Sequence, residues 1–312
     1  MMIGAVDIGG TKIAAALVSQ DGRIASRVEC PTAPEQGFPP AIARVKQMLR
    51  EAARRLHGQF MGIGVACTGP VDPFTGVIGE VGTLPGWQGA NLVEELGREF
   101  GVPVAVENDA DAAALAEASW GAAKGKSRFI YVTVGTGIGG GIVLSGELYR
   151  GVAGAHPELG HQVIDPSGPL CYCGARGCWE SLASGPAMVA WLNEQRPDGP
   201  ELSAAAICAL AERGDALALR AVEREGYYLG LGLANLVTLF TPDIIALGGG
   251  VMRSSYLFLE RAREVVRQIC TQVPAEKTEI ALASLGQDTG LAGAARAWLH
   301  RYQPKGASHA EP

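Results

Sequence analysis

The chain has 312 residues, 47% of them apolar and 19% charged, and a formal net charge of −6. That length exceeds one ordinary core and suits two α/β domains, while the apolar fraction excludes a disordered chain. The acidic balance and the lack of any basic run exclude the electrostatic footprint of a nucleic-acid binder.

In chain order, the pattern predicts a buried strand at 3–7, a turn at Gly9-Gly10, a second strand at 13–18, a hairpin signal at Asp21-Gly22 and a third strand at 23–29. Residues 1–7 have no basic segment and no small-residue cleavage site, so no secretory leader is expected. Apolar Ile42, Val45, Leu49 and Leu56 recur at helical spacing and predict a helix over 38–56. Short strands are expected at 62–67 and 102–106, the latter running into a helix at 108–119. The pattern then restarts: a strand at 129–134, a glycine-rich turn at 135–141, a strand at 142–144 and a hairpin at Ser145-Gly146. Strand, glycine turn, strand and hairpin thus occur twice, about 130 residues apart, which predicts two related domains facing each other. Helices follow at 186–193, 203–212, 216–240 and 255–270, with a strand at 244–247 that ends in Gly248-Gly249-Gly250. The uncharged stretch 226–242 contains glycines and ends in a proline, so it predicts a helix buried between domains, not a membrane span. A last helix at 290–301 precedes a polar tail expected to be disordered.

A glycine turn after a buried strand exposes backbone N–H groups that can cradle phosphate oxygens. Either turn alone is equally a tight hairpin; two matched turns in matched domains point to a phosphate held between lobes. Asp7 and Lys12 flank the first turn, and the Asp7 carboxylate either holds a hydrated Mg²⁺ or caps the turn. Gly135, Gly137 and Gly140 match a dinucleotide-binding fingerprint, but a strand follows them where that fingerprint requires a helix, so it is rejected. Asn108 and Asp109 stand at a strand-to-helix junction. Both are ordinary helix N-cap residues, and the same junction projects side chains into a ligand crevice, where an aspartate can accept a proton from a sugar hydroxyl; the pattern leaves both readings open. The seven cysteines are an odd number and argue for a reducing compartment. His161, Cys171, Cys173 and Cys178 have the composition and spacing of a closed, structural zinc site. That site would hold the flanking Glu158 and Glu180 rigidly, as acceptors for sugar hydroxyls.

These residues resemble the ROK group of repressors, open reading frames and kinases. The resemblance runs from Asp7-Ile8-Gly9-Gly10-Thr11-Lys12 to the terminal helix. It includes the stretch from Val134 to Gly141, Gly151, Glu158-Leu159-Gly160-His161 and the cysteine segment from Cys171 to Glu180. It implies the α/β, two-lobed actin-like ATPase fold of duplicated ribonuclease H-like domains, with ATP and sugar in the interlobe cleft. The expected division is a small domain at 1–119 joined by the terminal helix at about 290–302, a larger zinc-bearing domain at 120–289, and a tail at 303–312. The resemblance implies a zinc-containing, glucokinase-like enzyme that uses ATP and Mg²⁺ on the 6-hydroxyl of a hexose. Asp109 would be the general base; Asn108, Glu158, His161 and Glu180 would hold the sugar, with Gly69 and Thr83 on loops lining its pocket. Gly9, Gly10, Thr11, Lys12, Gly135, Thr136 and Gly137 would surround the ATP phosphates, and Gly248, Gly249 and Gly250 would face the nucleoside. Many relatives have asparagine where this chain has Thr83, which puts the sugar's identity in question: glucose first, an N-acylhexosamine (ManNAc or GlcNAc) second. A sugar-responsive repressor would need a helix-turn-helix domain ahead of Asp7, and none is expected. A non-catalytic sugar-binding regulator would need a damaged phosphate site, whereas both turns and Asp109 are intact. The expectation is a cytoplasmic homodimer or homotetramer that touches neither membrane nor nucleic acid.

Overall fold

The structure is a computed structural model that describes residues 1–54 and 60–303. The amino-terminal segment forms β1 (Met2–Ile8), β2 (Lys12–Ser19) and β3 (Ile24–Pro31) as an antiparallel meander. Next come helix α1 (Phe38–Arg54), β4 (Phe60–Cys67), α2 (Leu92–Phe100), β5 (Val104–Asn108) and α3 (Asp109–Trp120). The first sheet has the order β3-β2-β1-β4-β5, with β4 parallel to β1 and β5 parallel to β4. Its central strands β1 and β4 are apolar except for Asp7 because both faces are covered. Val6, Ile8, Ile13 and Ala15 pack toward Ile42, Val45 and Leu49 of α1. Ile3, Ala5, Ala14 and Ala16 pack toward the last helix, α9 (Thr289–Tyr302).

Small residues set how closely that second face packs. A Cβ on Gly64 of β4 would lie 1.8 Å from the Ala294 carbonyl oxygen, and one on Gly293 would lie 2.6 Å from the Ala112 backbone. Glycine at both positions therefore lets α9 rest directly on the sheet and on α3.

The second sheet contains β6 (Arg128–Val134), β7 (Ile138–Leu144), the two-residue β8 (Glu147–Leu148), β9 (Ile244–Gly248) and β10 (Glu279–Leu282). Its order, β8-β7-β6-β9-β10, repeats that of the first sheet, with β6 antiparallel to β7 and parallel to β9, and β9 parallel to β10. Around it lie α4 (Trp179–Ala183), α5 (Gly185–Gln195), α6 (Ala204–Glu212), α7 (Ala216–Phe240) and α8 (Leu259–Ile269).

The chain divides into two compact units: residues 1–124, 148–156 and 284–312, and residues 125–147 and 157–283. The first unit runs on to residue 124 rather than 119, and two further details differ from the expected division. The segment Leu148–His156 belongs with the first unit, where the Arg150 guanidinium forms a bidentate pair with buried Glu107 and His156 meets Asp111. Residues 284–289 also belong with the first unit, because the buried Glu117 carboxylate accepts the N–H groups of Ser284 and Leu285.

The stretch expected to lie between domains falls mostly in helix α7. It is internal to the second unit, and its glycines are contact points: a Cβ on Gly230 would lie 2.6 Å from Val265, and one on Gly232 would lie 2.1 Å from the Trp179 indole. The glycine turn is shorter than 135–141, since β7 begins at Ile138. The expected helix at 255–270 is a 3₁₀ turn (Val251–Leu257) followed by α8. Helix α2, capped by Asn91 and Gly101, and the short strand β10 are additional to the expected elements. Leu56 and residues 304–312 of the expected tail lie outside the described residues. Among the described residues, no helix is long and apolar enough to cross a membrane.

Candidate active site

In the first unit, the turn after β1 is closed by the Gly9 N–H donating to the Lys12 carbonyl at 2.9 Å. Thr32, at the end of β3, braces it: its hydroxyl donates to the Gly9 carbonyl at 2.6 Å, and its N–H donates to the Thr11 carbonyl at 3.0 Å. A Cβ on Gly10 would lie 2.9 Å from Cβ of Thr83, so the Thr83 loop rests against the turn. Thr11 and Lys12 are exposed, and Lys12 Nζ lies 3.2 Å from Glu29 Oε1. Asp7 points toward the start of α9, where a Cβ on Gly290 would lie 2.2 Å from Asp7 Oδ2.

The junction of β5 and α3 places Asn108 and Asp109. The Asn108 carboxamide is the helix cap: its oxygen accepts the N–H groups of Ala110 (2.9 Å) and Asp111 (3.3 Å), and its nitrogen donates to the Gly69 carbonyl at 3.3 Å. One amide hydrogen is left for a ligand. Gly69 holds φ +79° and packs on Val81, a conformation that favours glycine. Asp109 Oδ1 accepts the Ala110 N–H at 2.9 Å. Burial pushes the Asp109 carboxyl up to about 6, against the Ala110 N–H, the positive field of His156 and the Thr68 hydroxyl, which lower it. Burial also pushes Asp7 up to about 6, and the charge of Asp109 adds to it. Asp7, whose proton affinity the Asp109 charge raises, fits a divalent cation such as Mg²⁺.

In the second unit, the Gly135 N–H donates to the Gly137 carbonyl at 2.9 Å. The Gly135 carbonyl accepts the N–H of Gly185, the first residue of α5, also at 2.9 Å. A Cβ on Gly135 would lie 3.9 Å from the Gly250 nitrogen, so the turn, the start of α5 and the loop after β9 converge. Gly249 has φ +93° and lies against Val134, Gly248 lies against Tyr131, and Gly250 opens onto free space. Thr136 is exposed. Glu180 reaches the same turn: its Oε2 accepts the Ile138 N–H at 2.8 Å, and a Cβ on Gly137 would lie 2.1 Å from that oxygen.

The four zinc candidates come together. Ligand atoms of His161, Cys171, Cys173 and Cys178 all lie within 4.8 Å of one another. Cys171 Sγ is 3.6 Å from His161 Nδ1, and Cys173 Sγ is 3.5 Å from Cys178 Sγ. Those separations are near the edge of about 3.8 Å that a tetrahedron with Zn–S bonds of ~2.3 Å requires, so three thiols and an imidazole fit zinc. The loop approaches β7 closely because Gly160 has no side chain; a Cβ there would lie 1.9 Å from the Ile138 carbonyl oxygen. Trp179, fully buried under Gly232, anchors the exit of the loop. Glu158, exposed, precedes the 3₁₀ turn Leu159–His161.

A family model described as ROK family matches residues 3–301. The chain belongs to the ROK family. Among ROK relatives it is 34% identical over 302 residues to a glucokinase of Thermotoga maritima, a match covering 93% of this chain and 95% of that protein. It resembles the crystal structure of a ROK hexokinase from Thermus thermophilus, with TM-score 0.87 and 37% identity over 97% of this chain and 100% of that one. It also resembles a ROK family glucokinase from Streptomyces griseus in complex with glucose and AMPPNP, with TM-score 0.81 and 33% identity over 95% and 98% of the two chains. The repeated strand order is that of the duplicated ribonuclease H-like, actin-like ATPase fold.

Within each unit the predicted residues form one neighbourhood. In the first, Asp7, Asp109, Asn108 and Gly69 are linked by field or hydrogen bond, and Thr83 packs on Gly10. In the second, Gly137, Glu180, His161 and the cysteines are linked, and Gly135 meets Gly250. The sequence pattern missed Gly185, His156 and Arg150 as parts of the site. Gly185 had a signal, a serine cap (Ser184) followed by Pro186. Arg150 and His156 had none, since only the fold brings them to α3.

Proposed function

We propose that this ROK protein is an ATP-dependent sugar kinase that transfers phosphate to the 6-hydroxyl of glucose. The observation that carries the reading is Asp109: a partly buried carboxyl at a helix start, raised to about 6 by burial and lying beside Asp7. At neutral pH it is ionised, yet more basic than an ordinary aspartate, as a general base for a hydroxyl needs to be. Asp109 takes the proton of the 6-hydroxyl as the oxygen attacks the γ-phosphorus of ATP. Asn108, fixed by its cap bonds, offers its remaining amide hydrogen to the sugar. Glu158, His161 and the second oxygen of Glu180 hold further hydroxyls. The N–H groups of the two glycine turns, with Thr11, Lys12 and Thr136, bind phosphate oxygens, and Gly248 to Gly250 leave room for the nucleoside. Asp7 would hold Mg²⁺, which supplies charge neutralisation to the triphosphate. Zinc on His161 and the three cysteines would keep Glu158 and Glu180 in place.

A coupled ADP-release assay over a panel of sugars tests this. The highest kcat/KM is expected for glucose, with lower values for N-acetylglucosamine and N-acetylmannosamine. A higher value for either acetylated sugar would move the assignment to an N-acylhexosamine kinase, and no sugar-dependent ADP release would remove the kinase reading.

A further inference from the structure

The residue between two of the clustered cysteines, Tyr172, has no part in the roles given so far. Its side chain is 83% exposed, unusual for a tyrosine with no apolar partner to cover. It is nevertheless placed. Its Oη lies 3.0 Å from His161 Nε2, and its ring stands edge-on to the imidazole, with centroids 5.1 Å apart and planes at 83°. Tyr172 therefore adjoins His161, one of the groups of the second unit assigned to the sugar.

The other imidazole nitrogen explains the orientation. His161 Nδ1 faces Cys171 Sγ in the ligand cluster. A metal on Nδ1 leaves the ring proton on Nε2, which then donates to an oxygen. In this structure that oxygen is the Tyr172 hydroxyl. A sugar hydroxyl on the same nitrogen must share or take this place, and the phenol ring stands beside it. A hydroxyl is small enough for that space. A substituent of four heavy atoms, such as an acetamido group, needs more of the space beside the ring than a hydroxyl does.

We propose that Tyr172 is a specificity-determining residue of the sugar site, its ring forming a wall beside His161 Nε2 that admits a hydroxyl and excludes a bulkier ring substituent. The inference rests on the sugar-kinase reading and deepens it. Unlike a metal ligand, Tyr172 acts through its shape, so truncation and loss of the hydroxyl have different consequences.

The test compares wild type, Tyr172→Phe and Tyr172→Ala. Dissociation constants for glucose, N-acetylglucosamine and N-acetylmannosamine are measured by calorimetry without nucleotide, together with kcat/KM for each sugar and zinc content per chain. Tyr172→Ala is expected to shift the ratio of acetylated sugar to glucose by about tenfold or more in favour of the acetylated sugar, in the range that steric exclusion from a pocket supplies. Tyr172→Phe keeps the ring and is expected to keep the wild-type ratio. Zinc content is expected to match wild type in both. An unchanged ratio in Tyr172→Ala overturns the proposal, as does an equal shift in Tyr172→Phe, which would assign selectivity to the hydroxyl. Loss of zinc in Tyr172→Ala also overturns it, by making the residue a support of the metal loop. The binding ratio stands apart from turnover: a wild type that binds these sugars but phosphorylates none sinks the kinase reading and leaves the role of Tyr172 to be decided by calorimetry.

Discussion

The first glycine turn joins Ile8 to Ile13 through four residues, and the second joins Val134 to Ile138 through three. Both follow the central strand of sheets with the same order. The first carries its own charges: Asp7 precedes it and Lys12 follows it. At the position of Asp7 the second has Thr133, and it has no charged residue from Thr133 to Ile138. It takes a carboxylate from elsewhere instead, through the Glu180 bond to Ile138 N–H. One hairpin plan thus serves two chemistries. Where acid–base work and cation binding are proposed, charge is local and buried. Where phosphate and sugar are proposed to be positioned, backbone N–H groups and a carboxylate beside the candidate zinc cluster take that part.

The largest expected effect tests the charged side. Asp109→Asn should lower kcat by roughly 10²–10⁴-fold while leaving glucose binding measurable; turnover near wild type would remove Asp109 from the mechanism. The wild-type pH profile is a second arm of the same experiment. The base must be ionised, so kcat/KM should fall as pH drops through about 6, with Asp7 titrating in the same range. Stability runs the opposite way. The folded carboxyl of Asp109 is raised above its ordinary 3.8, so the folded state prefers the protonated form, and stability is lost as pH rises from about 4 to about 6. Asp109→Asn should therefore raise Tm at pH 7 and not at pH 4; an equal change at both would show that charge burial is not the cause.

A smaller effect tests the uncharged side. A Cβ on Gly137 would lie 2.1 Å from Glu180 Oε2, so Gly137→Ala must push the carboxylate off Ile138 N–H. Losing one hydrogen bond to a charged group corresponds to about 1.5–3 kcal/mol, or roughly 10–100-fold in sugar affinity. The matched change in the first turn, Gly9→Ala, meets only the Lys12 carbonyl at 3.3 Å and should act more weakly, on ATP affinity. Calorimetry with each ligand separates the two; a larger loss from Gly9→Ala would mean that the turns do not divide the work as described.

Much of this was legible in the sequence, for reasons the structure makes plain. The meander β1–β3, the long α7 and the duplicated turns follow from periodicity and glycine placement, which are local. The His161 and cysteine cluster was legible because metal ligands need spacing rather than tertiary context. Asn108 was an open choice between cap and ligand, and the structure uses its oxygen as the cap and one amide hydrogen to hold the Gly69 carbonyl. What stayed hidden depends on return of the chain. The excursion of Leu148–His156 to the first unit is driven by Glu107 and Asp111, buried acids whose partners lie about 40 residues on. The role of Glu117 as acceptor for Ser284 and Leu285 spans more than 160 residues. Helix α2 is set by its caps, Asn91 and Gly101, more than by its two buried leucines.

The claim on which the rest depends is that this chain moves phosphate from ATP to the 6-hydroxyl of glucose with Asp109 as base. Incubating the purified protein with ATP, Mg²⁺ and glucose, and reading the product by phosphorus and carbon NMR, tests it most directly. The account predicts one new phosphate ester, on O6 of glucose, formed in step with ADP, and at least roughly 10²-fold slower with Asp109→Asn. An ester at another hydroxyl, or ADP released without any sugar phosphate, would contradict it.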